Sequence, residues 1–277
     1  MRHRHKLQQI EITNGEFQIF QKIIYNEIGI DLTNDKKQLV QSRLLKQMLK
    51  YSLKSYSEYL RLIQINTKEK TEMLNLITTN ETFFFRELNH YDFFQNTILP
   101  NCPYNQKFRA WSAASSVGAE AYSTAMLLDS HFTRDNWEVI GTDINTDVIE
   151  KARIALYPEP WASKVPENLR KKYCLKGKGK FEGKFMVESS LKNNINFYVK
   201  NLLMPINDIG TFDLIFLRNV LIYFDQRTKQ IVLDNVVANL KPNGYLYISH
   251  TENLNTLNIK SLEQTSSAIY QKKYRNG

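Results

Sequence analysis

Cysteine and histidine are scarce in this 277-residue chain, and their scarcity argues against two classes of site. The two cysteines, Cys102 and Cys174, lie 72 positions apart and form no Cys-x-x-Cys pair. We therefore predict free thiols rather than a disulfide framework or a cysteine-ligated zinc ion. The five histidines stand at positions 3, 5, 90, 131 and 250, without the helical spacing of metal ligands. The sequence predicts no metal site.

Long hydrophobic runs are also missing. The most apolar stretch, 214–224, is interrupted by Arg218 and Asn219, whereas a membrane-spanning helix needs about 20 apolar residues. The first six residues are basic, but polar residues follow where a signal peptide needs an apolar segment. We therefore expect a cytoplasmic protein that does not insert into a membrane.

Acidic residues are outnumbered, with 28 aspartates and glutamates against 37 lysines and arginines and a net charge of +9. A basic chain can bind nucleic acid, approach an acidic protein surface, or use its lysines for solubility alone. The 42% hydrophobic and 23% charged residues are typical of a folded globular protein rather than a disordered or fibrous one. Charge alone does not choose among the three interpretations.

Glycine is almost absent between Phe17 and Ile77, where apolar residues recur at helical spacing. This pattern predicts helices near 17–28, 35–51, 55–66 and 67–78, with Ser55 and Thr67 as N-caps. We therefore expect a small all-α domain over 1–78, followed by a linker over 79–105.

Beyond residue 105, short apolar runs alternate with helical segments. The runs at 108–113, 139–144, 212–217 and 245–249 predict buried strands, and strands separated by helices favour a doubly wound α/β domain over 106–277. Ligands of such a domain bind at the carboxyl ends of the strands. Prolines, glycines and a short alternating stretch at about 157–196 predict an inserted β-hairpin subdomain.

A loop of small residues, 114–118, follows the first strand and leads into an apolar helix. Small residues let the backbone approach a ligand, and the helix N-terminus offers free N–H groups. Because the loop lacks Gly-x-Gly-x-x-Gly, we do not expect it to hold a pyrophosphate.

Asp143 stands at the end of the next strand, 25 positions after Gly118. A carboxylate at this place binds ribose hydroxyls in nucleotide-binding folds, although Asp143 could instead cap the helix that starts near Thr146. A ribose carboxylate without a diphosphate cradle suits S-adenosylmethionine, which has a ribose and no phosphate. The pattern thus indicates a methyltransferase.

Several segments resemble those of the CheR-type methyltransferases, which esterify glutamate side chains of chemoreceptors. The resemblance is carried by four segments, Thr78–Glu87, Trp111–Ser123, Gly141–Arg153 and Phe212–Asp225. It extends to Lys241–Glu252 and to the helical segment through Ser42–Leu44, so it covers nearly the whole chain. It implies a class I (Rossmann-like) methyltransferase domain with a parallel-rich sheet, a small N-terminal all-α domain and an inserted β-subdomain.

The resemblance also implies roles for individual residues. S-adenosylmethionine, with S-adenosylhomocysteine as product, is expected to contact nine residues: Asn80, Thr82, Arg86, Glu120, Asp143, Asn201, Leu202, Arg218 and Asn219. Arg86 and Tyr223 are the expected catalytic residues, with Arg86 orienting the acceptor carboxylate and Tyr223 facing the sulfonium. One departure is visible, because Gly118-Ala-Glu-Ala stands where the family usually has Gly-Glu-Glu-Pro. One carboxylate is missing, and Glu120 retains the second.

The implied partner is the cytoplasmic region of membrane chemoreceptors, with no role for nucleic acid. Arg43, Lys46 and Lys50 recur at roughly helical spacing and predict a basic face toward a glutamate-bearing receptor helix, although they could equally be a solvated surface. The insert resembles the β-subdomain through which some family members bind a receptor's C-terminal tether. Two alternatives remain open: a methyltransferase acting on RNA or a small molecule, and a non-catalytic regulator that binds the cofactor or a receptor.

Overall fold

The computed structural model describes residues 10–133 and 136–273. These residues form two compact units. The first contains the chain up to Thr79 together with Tyr223–Asp225, and the second contains 80–222 and the chain from Gln226 onward.

The first unit contains four α-helices among its described residues: α1 (Asn14–Ile28), α2 (Lys37–Lys50), α3 (Tyr56–Ile65) and α4 (Thr67–Ile77). Thr13 and Glu16 form a capping box at the start of α1, and Ser55 caps α3 as predicted. The predicted Thr67 cap is wrong, because Asn66 accepts the Glu69 N–H at the start of α4. A single extended residue, Asn66, both ends α3 and begins α4.

Aromatic and aliphatic side chains fill the core of this unit. The ring of Phe20 packs against Tyr56 and Tyr59 at 6.2 Å, and Ile24, Leu44 and Met48 are fully buried. These contacts follow from the helical spacing of apolar residues in the sequence, because that spacing places them on one side of each helix.

Arg43 has a structural role in the first unit, which corrects its assignment to a basic face. Its guanidinium donates to the carbonyls of Ile77 and Thr78 and, at 2.9 Å, to the hydroxyl of Thr79. These carbonyls lie at the C-terminus of α4, where the last turn leaves acceptors without helical partners. Lys46 and Lys50 remain exposed on α2.

The second unit is built on a seven-stranded sheet in the order β6-β2-β1-β7-β8-β10-β9. Its strands are β1 (Phe108–Ala113), β2 (Trp137–Asp143), β6 (Ile195–Val199), β7 (Phe212–Phe216), β8 (Leu240–Tyr247), β9 (Leu262–Ser266) and β10 (Ile269–Lys272). The five strands from β6 to β8 pair in parallel, whereas β10 is antiparallel to both neighbours. The expected α/β fold with a parallel-rich sheet is confirmed.

Six α-helices are described in this unit, one before β1 and the others between the strands in chain order. They are α5 (Leu88–Phe93), α6 (Ala119–His131), α7 (Thr146–Ile154), α8 (Glu167–Tyr173), α9 (Ser189–Lys192) and α10 (Gln226–Ala238). A π-helical turn, Phe94–Ile98, continues α5. The helix α6 is buried on nearly all sides, so the loop before it is held against the sheet.

A second, three-stranded sheet is inserted between α7 and β6. It consists of β3 (Leu156–Pro158), β4 (Cys174–Lys176) and β5 (Lys184–Val187) in the antiparallel order β3-β5-β4. The insert was predicted as a hairpin, but it has three strands. The additional strand is β3, which two helical segments separate in sequence from β4 and β5. The strand β6 pairs with β2 in the main sheet.

Two glycines allow β6 to pack tightly against the ends of β1 and β2. A Cβ added to Gly141 would lie 2.4 Å from a ring carbon of Phe197, and one added to Gly118 would lie 2.9 Å from the same ring. Gly118 also has a φ of +85°, which disfavours other residues. A larger residue at either position would collide with the ring of Phe197.

Candidate active site

Parallel pairing brings the carboxyl ends of β1, β2, β7 and β8 to one edge of the sheet, and the loop after β1 is strained there. Ala114, Ser116 and Gly118 all have positive φ values, of 68°, 50° and 85°. Each such non-glycine residue costs roughly 1–3 kcal/mol and persists only where its surroundings fix it. Here the N–H of Ser115 donates to the Thr142 carbonyl at 2.8 Å. Strained loops of this kind are typical of ligand sites.

Ser116 connects the loop to two other segments. Its N–H donates to Asp143 Oδ2 at 2.8 Å, and its hydroxyl donates to the Asn80 carbonyl at 2.8 Å. The segment that begins at Asn80 and the end of β2 therefore meet at the same loop. Three of the segments singled out in the sequence are joined at this residue.

Asp143 is a buried carboxylate rather than a helix cap. The cap of α7 is Asn145, whose side chain accepts the N–H groups of Asp147 and Val148. Burial raises the pKa of the Asp143 carboxyl above its usual value, and the hydrogen bonds from the N–H groups of Asn145 and Ser116 offset only part of that rise. Of the two interpretations of Asp143, the capping one is wrong, which leaves a carboxylate at the end of β2.

Arg218, at the end of β7, is the centre of a buried ion network. Its Nη1 donates to Glu120 Oε2 at 2.8 Å, and its Nη2 lies 3.4 Å from Glu87 Oε2 and donates to the Arg86 carbonyl. Only 5% of Arg218 is exposed. The other oxygen of Glu120 accepts the Ser112 hydroxyl at 2.7 Å. The network joins β1, α6, β7 and the segment before α5.

The electrostatics of this network are those of a buried charge pair. Burial raises the pKa of the Glu120 carboxyl, while the neighbouring Arg218 opposes that rise. Burial lowers the pKa of Arg218, but Glu120, Tyr91 and Glu87 together outweigh it and leave the pKa above its usual value. A buried pair of this kind is strongly destabilised when one partner is removed, because the other charge is left without compensation.

Arg86 points its guanidinium away from this network. Its Nη1 donates to the Glu81 carbonyl at 3.0 Å, and the guanidinium lies over the Phe83 ring at 5.8 Å. Among the residues that the structure describes, no carboxylate lies within ion-pair distance of Arg86, and Glu87 is instead near Arg218.

The backbone around Arg86 accounts for this direction. Phe85 and Glu87 both have positive φ values, of 54° and 60°. Phe85 is buried and its N–H donates to the Ser123 hydroxyl at 2.9 Å, so the strained backbone alternates between core and surface. Phe84 packs on Tyr157 at 4.9 Å and is fully buried, whereas Phe83 is exposed.

The remaining predicted residues follow other strands. Asn201 accepts the Leu203 N–H with its side chain, and the Leu202 carbonyl accepts from Asn235. They follow β6, where the N–H of Lys200 donates to the Asp143 carbonyl at 2.9 Å. Thr82 is half-buried in the segment between Asn80 and Arg86.

Tyr223 belongs to the first unit, where its carbonyl accepts the Asp31 N–H at 2.9 Å. The hydrogen bonds described above therefore link Asn80 with Asp143, through Ser116, and Arg86 and Glu120 with Arg218, all within the second unit. They do not include Tyr223.

Three polar residues at this edge, Glu87, Ser249 and Glu252, were not predicted as site residues, and all three lie close to Asn219 or bond to its partners. Asn219, with a φ of 57°, donates from its amide to the Ser249 hydroxyl at 2.8 Å, and that hydroxyl donates to Glu87 Oε1 at 2.8 Å. The backbone N–H of Asn219 donates to Glu252. Glu87, Ser249 and Glu252 all lie in segments that carry the family resemblance, and the last two directly follow a buried strand. That placement was the available signal.

Glu87, His90 and His250 form a group whose ligand atoms lie within 4.8 Å of one another. Sequence spacing did not predict this group, because its members come from α5 and from the turn after β8. Burial lowers the pKa of His90 to about 3, so its ring is neutral. However, Arg218 lies 3.4 Å from the same Glu87 oxygen and would repel a cation. We assign no metal to this group.

The edge as a whole fits a nucleoside ligand that has no phosphate. Asp143 supplies a buried carboxylate at the end of β2, and the Ser116 N–H joins it to the loop 114–118. The loop 114–118 lacks the glycine pattern that cradles a pyrophosphate. These features suit S-adenosylmethionine, which has a ribose and carries no phosphate.

Comparison with known proteins also indicates a methyltransferase that binds S-adenosylmethionine. The model of the CheR methyltransferase SAM-binding domain matches residues 80–270, and that of the CheR methyltransferase all-alpha domain matches 15–78. The chain is 36% identical to a chemotaxis protein methyltransferase of Borreliella burgdorferi, over 95% of this chain and 96% of the relative. It is also 36% identical to one of Escherichia coli, over 90% and 88%. An O-methyltransferase family protein from Burkholderia thailandensis aligns with a TM-score of 0.41 at 13% identity, over 76% of this chain and 60% of that one.

Proposed function

This chain belongs to the CheR methyltransferase family, and from that premise we propose that it transfers the methyl group of S-adenosylmethionine to glutamate side chains of chemoreceptors. The dependence on S-adenosylmethionine follows from the family's SAM-binding domain. The observation that supports a carboxylate acceptor is Arg86, a guanidinium with no acidic partner among the described residues. Its neighbour Asn80 meets the cofactor loop through Ser116.

The chemistry requires little from acid–base groups. S-adenosylmethionine supplies an activated methyl group, and a glutamate carboxylate is already ionised at pH 7. The protein's contribution is to position the carboxylate and to exclude water from it. We propose that Arg86 orients the acceptor by charge-assisted hydrogen bonds and that Tyr223 serves as the second catalytic residue.

We propose that nine residues from the carboxyl edge of the sheet and from the linker 79–105 line the cofactor site, with Arg86 beside the methyl group, where it orients the acceptor and adds little to cofactor affinity. They are Asn80, Thr82, Arg86, Glu120, Asp143, Asn201, Leu202, Arg218 and Asn219. In this arrangement Glu120 acts through its ion pair with Arg218, so one buried carboxylate shapes the site while Asp143 binds the ribose. This division offers a reason why Ala119, which replaces the family's first acid, is tolerated.

Replacing Asp143 with alanine should weaken the binding of S-adenosylhomocysteine by about tenfold, or about 1.4 kcal/mol. The variant loses the ribose acceptor and also releases the Ser116 N–H. Isothermal titration calorimetry measures the dissociation constant, and Asp147→Ala, an exposed aspartate two residues past the Asn145 cap, is the control. Equal affinities in Asp143→Ala and the control would remove Asp143 from the cofactor site.

Lys46 and Lys50 are the basic residues of α2 that remain candidates for receptor recognition. Both are exposed, although Lys50 lies 3.6 Å from Glu69. Exposed charges add little to fold stability but steer association with an acidic partner. The three-stranded insert is a second candidate surface, because β3 and β4 are edge strands to which an extended receptor tether could pair.

Reversing both charges, Lys46→Glu with Lys50→Glu, should lower receptor methylation about tenfold and leave S-adenosylhomocysteine affinity within about twofold. Raising ionic strength from about 0.05 M to about 0.3 M should reduce the wild-type rate, since it shortens the screening length from about 14 Å to about 6 Å. The double variant Lys260→Glu with Lys273→Glu, two exposed lysines of the second unit, is the matched control. Undiminished methylation by the α2 variant would indicate that the insert, rather than α2, recognises the receptor.

The proposed acceptor is tested by incubating the protein with tritiated S-adenosylmethionine and membranes from its own host. Carboxyl methyl esters hydrolyse in mild base, whereas methyl groups on RNA bases or amines do not. Base-labile label in the membrane fraction supports the proposal. Base-stable label, or label in added RNA, would favour the alternative methyltransferase, and no transfer at all would favour the non-catalytic regulator.

Among the described residues, every helix is too short or too polar to cross a bilayer. A cytoplasmic location, as expected from the sequence, belongs to the proposal because the receptor region that it requires faces the cytoplasm.

A further inference from the structure

Glu252 lies in the turn after β8 and accepts hydrogen bonds from two different loops. Its Oε2 accepts the N–H of Ser249 at 2.9 Å and that of Asn219 at 3.1 Å. Its Oε1 accepts the N–H of Ile222 at 3.3 Å. Ser249 belongs to the same turn, whereas Asn219 and Ile222 belong to the loop after β7. One carboxylate therefore bridges the carboxyl ends of two neighbouring parallel strands.

The loop that Glu252 holds is strained at Asn219, directly after Arg218, which the ion network already anchors. Asn219 has a φ of 57°, a conformation that costs roughly 1–3 kcal/mol for a residue other than glycine. A hydrogen bond to a charged acceptor contributes about 1.5–3 kcal/mol, so the bond that the Asn219 N–H donates to Glu252 is of the size needed to fix this conformation. The Asn219 side-chain amide also donates to the Ser249 hydroxyl. Ile222, the third donor, directly precedes Tyr223 in the chain.

These bonds are separate from those that maintain the sheet. The strands β7 and β8 pair through Leu214, Ile215 and Phe216, which face Tyr245, Leu246 and Tyr247 in register. The hydrophobic cluster beneath them includes Leu214, Phe216 and Tyr247 and does not depend on the Glu252 carboxylate. Loss of the carboxylate is therefore expected to release the loop and leave the sheet intact.

We propose that Glu252 is a positioning residue of this enzyme, whose carboxylate fixes the loop after β7 and so orders Asn219 and the backbone that enters Tyr223. The proposal rests on the proposed function, because it is there that Asn219 and Tyr223 are site residues. Glu252 itself contacts neither cofactor nor substrate in this account. It acts through the three N–H groups that it accepts.

The test compares Glu252→Gln with Glu263→Gln, which makes the same chemical change at an exposed glutamate of β9. Glutamine keeps the size of the side chain but has one accepting oxygen, and its amide group cannot accept an N–H. Residue-resolved amide hydrogen exchange should therefore show about tenfold faster exchange at Asn219 or Ile222, with β7 unchanged. The turnover number for receptor methylation should fall about tenfold while the Michaelis constant for the receptor changes by less than about threefold.

A second variant, Glu252→Asp, retains the charge but shortens the side chain by one methylene, and it should show the same loss of protection and of turnover. Unchanged exchange in the loop, or turnover equal to that of Glu263→Gln, would overturn the proposal. A rate loss that only tracks a lower melting temperature would overturn it as well. Because hydrogen exchange is measured without a receptor, the positioning role can be judged even if the wild-type protein proves not to methylate glutamate.

Discussion

Replacing Arg218 with alanine is expected to lower the free energy of unfolding of the second unit by about 3–5 kcal/mol. The substitution leaves Glu120 and Glu87 buried or half-buried without their shared cation, and it removes a donor from the Arg86 carbonyl. Urea denaturation followed by circular dichroism measures the change at pH 7. The exposed Arg227→Ala on α10 is the matched control, and it should shift stability by less than about 0.5 kcal/mol.

The loss in Arg218→Ala should depend on pH in a defined direction. Burial already raises the pKa of Glu120 beside Arg218, and without the cation that rise becomes larger. A carboxyl whose pKa is raised by folding is tolerated while it is protonated and destabilises the fold as pH rises and it ionises. The difference between variant and wild type should therefore be smaller at pH 5 than at pH 7. A loss near that of Arg227→Ala, or one that grows as pH falls, would contradict the buried-pair account.

Replacing Arg86 with alanine should lower the turnover number for receptor methylation about a hundredfold, or about 2.7 kcal/mol, while S-adenosylhomocysteine affinity changes by less than about threefold. The reason is that its guanidinium has no carboxylate partner among the described residues and is held only by the Glu81 carbonyl and the Phe83 ring. Initial-rate kinetics with receptor membranes and calorimetry with S-adenosylhomocysteine give the two quantities.

The conservative variant Arg86→Lys separates charge from geometry. Lysine keeps the positive charge but cannot form the two parallel hydrogen bonds of a guanidinium with a carboxylate, so an intermediate rate is expected. Arg227→Ala again serves as the control for loss of an exposed arginine. A large loss of cofactor affinity with normal turnover at saturating cofactor would assign Arg86 to the cofactor rather than to the acceptor.

The strands that the sequence predicted well are those whose two faces are both buried. The run 108–113 coincides with β1 because every residue except Arg109 is buried, which gives a continuous apolar signal. Only the buried end of β8 was predicted, since a lysine, a proline and an asparagine follow Leu240 and interrupt the apolar pattern. The edge strands β6 and β9 were missed because few of their side chains face the core.

At the site, too, the sequence predicted which residues matter, whereas their partners became known only from the contacts in the structure. Asp143 was singled out by its place after a strand, and the observation that Asn145 caps α7 removed the helix-cap interpretation, so its ribose contact stays a prediction. Arg43 had the spacing of a surface residue, and only its bonds to the end of α4 showed otherwise. The partnership of Arg218 with Glu120 joins residues 98 positions apart, a separation at which helical or strand periodicity carries no information.

The resemblance to the family contributed what periodicity could not. It directed attention to Thr78–Glu87, a segment with no clear helical or strand pattern that the structure shows to be strained at Phe85 and Glu87. Strained backbone is expected where local preference and function disagree. The catalytic role of Tyr223 stays a prediction from the resemblance, because the hydrogen bond described for it is accepted by its backbone carbonyl from Asp31, within the first unit.

The central claim is that this chain esterifies glutamate carboxylates, and mapping the methyl groups by mass spectrometry tests it most directly. The purified protein is incubated with S-adenosylmethionine and the purified cytoplasmic region of a chemoreceptor from its own host, and the products are digested and sequenced before and after treatment with mild base. The account predicts methyl groups on glutamate side chains that disappear in base, and their absence from reactions with Arg86→Ala. Methyl groups on nitrogen, or an unmodified receptor in a reaction where S-adenosylmethionine is consumed on another acceptor, would contradict it.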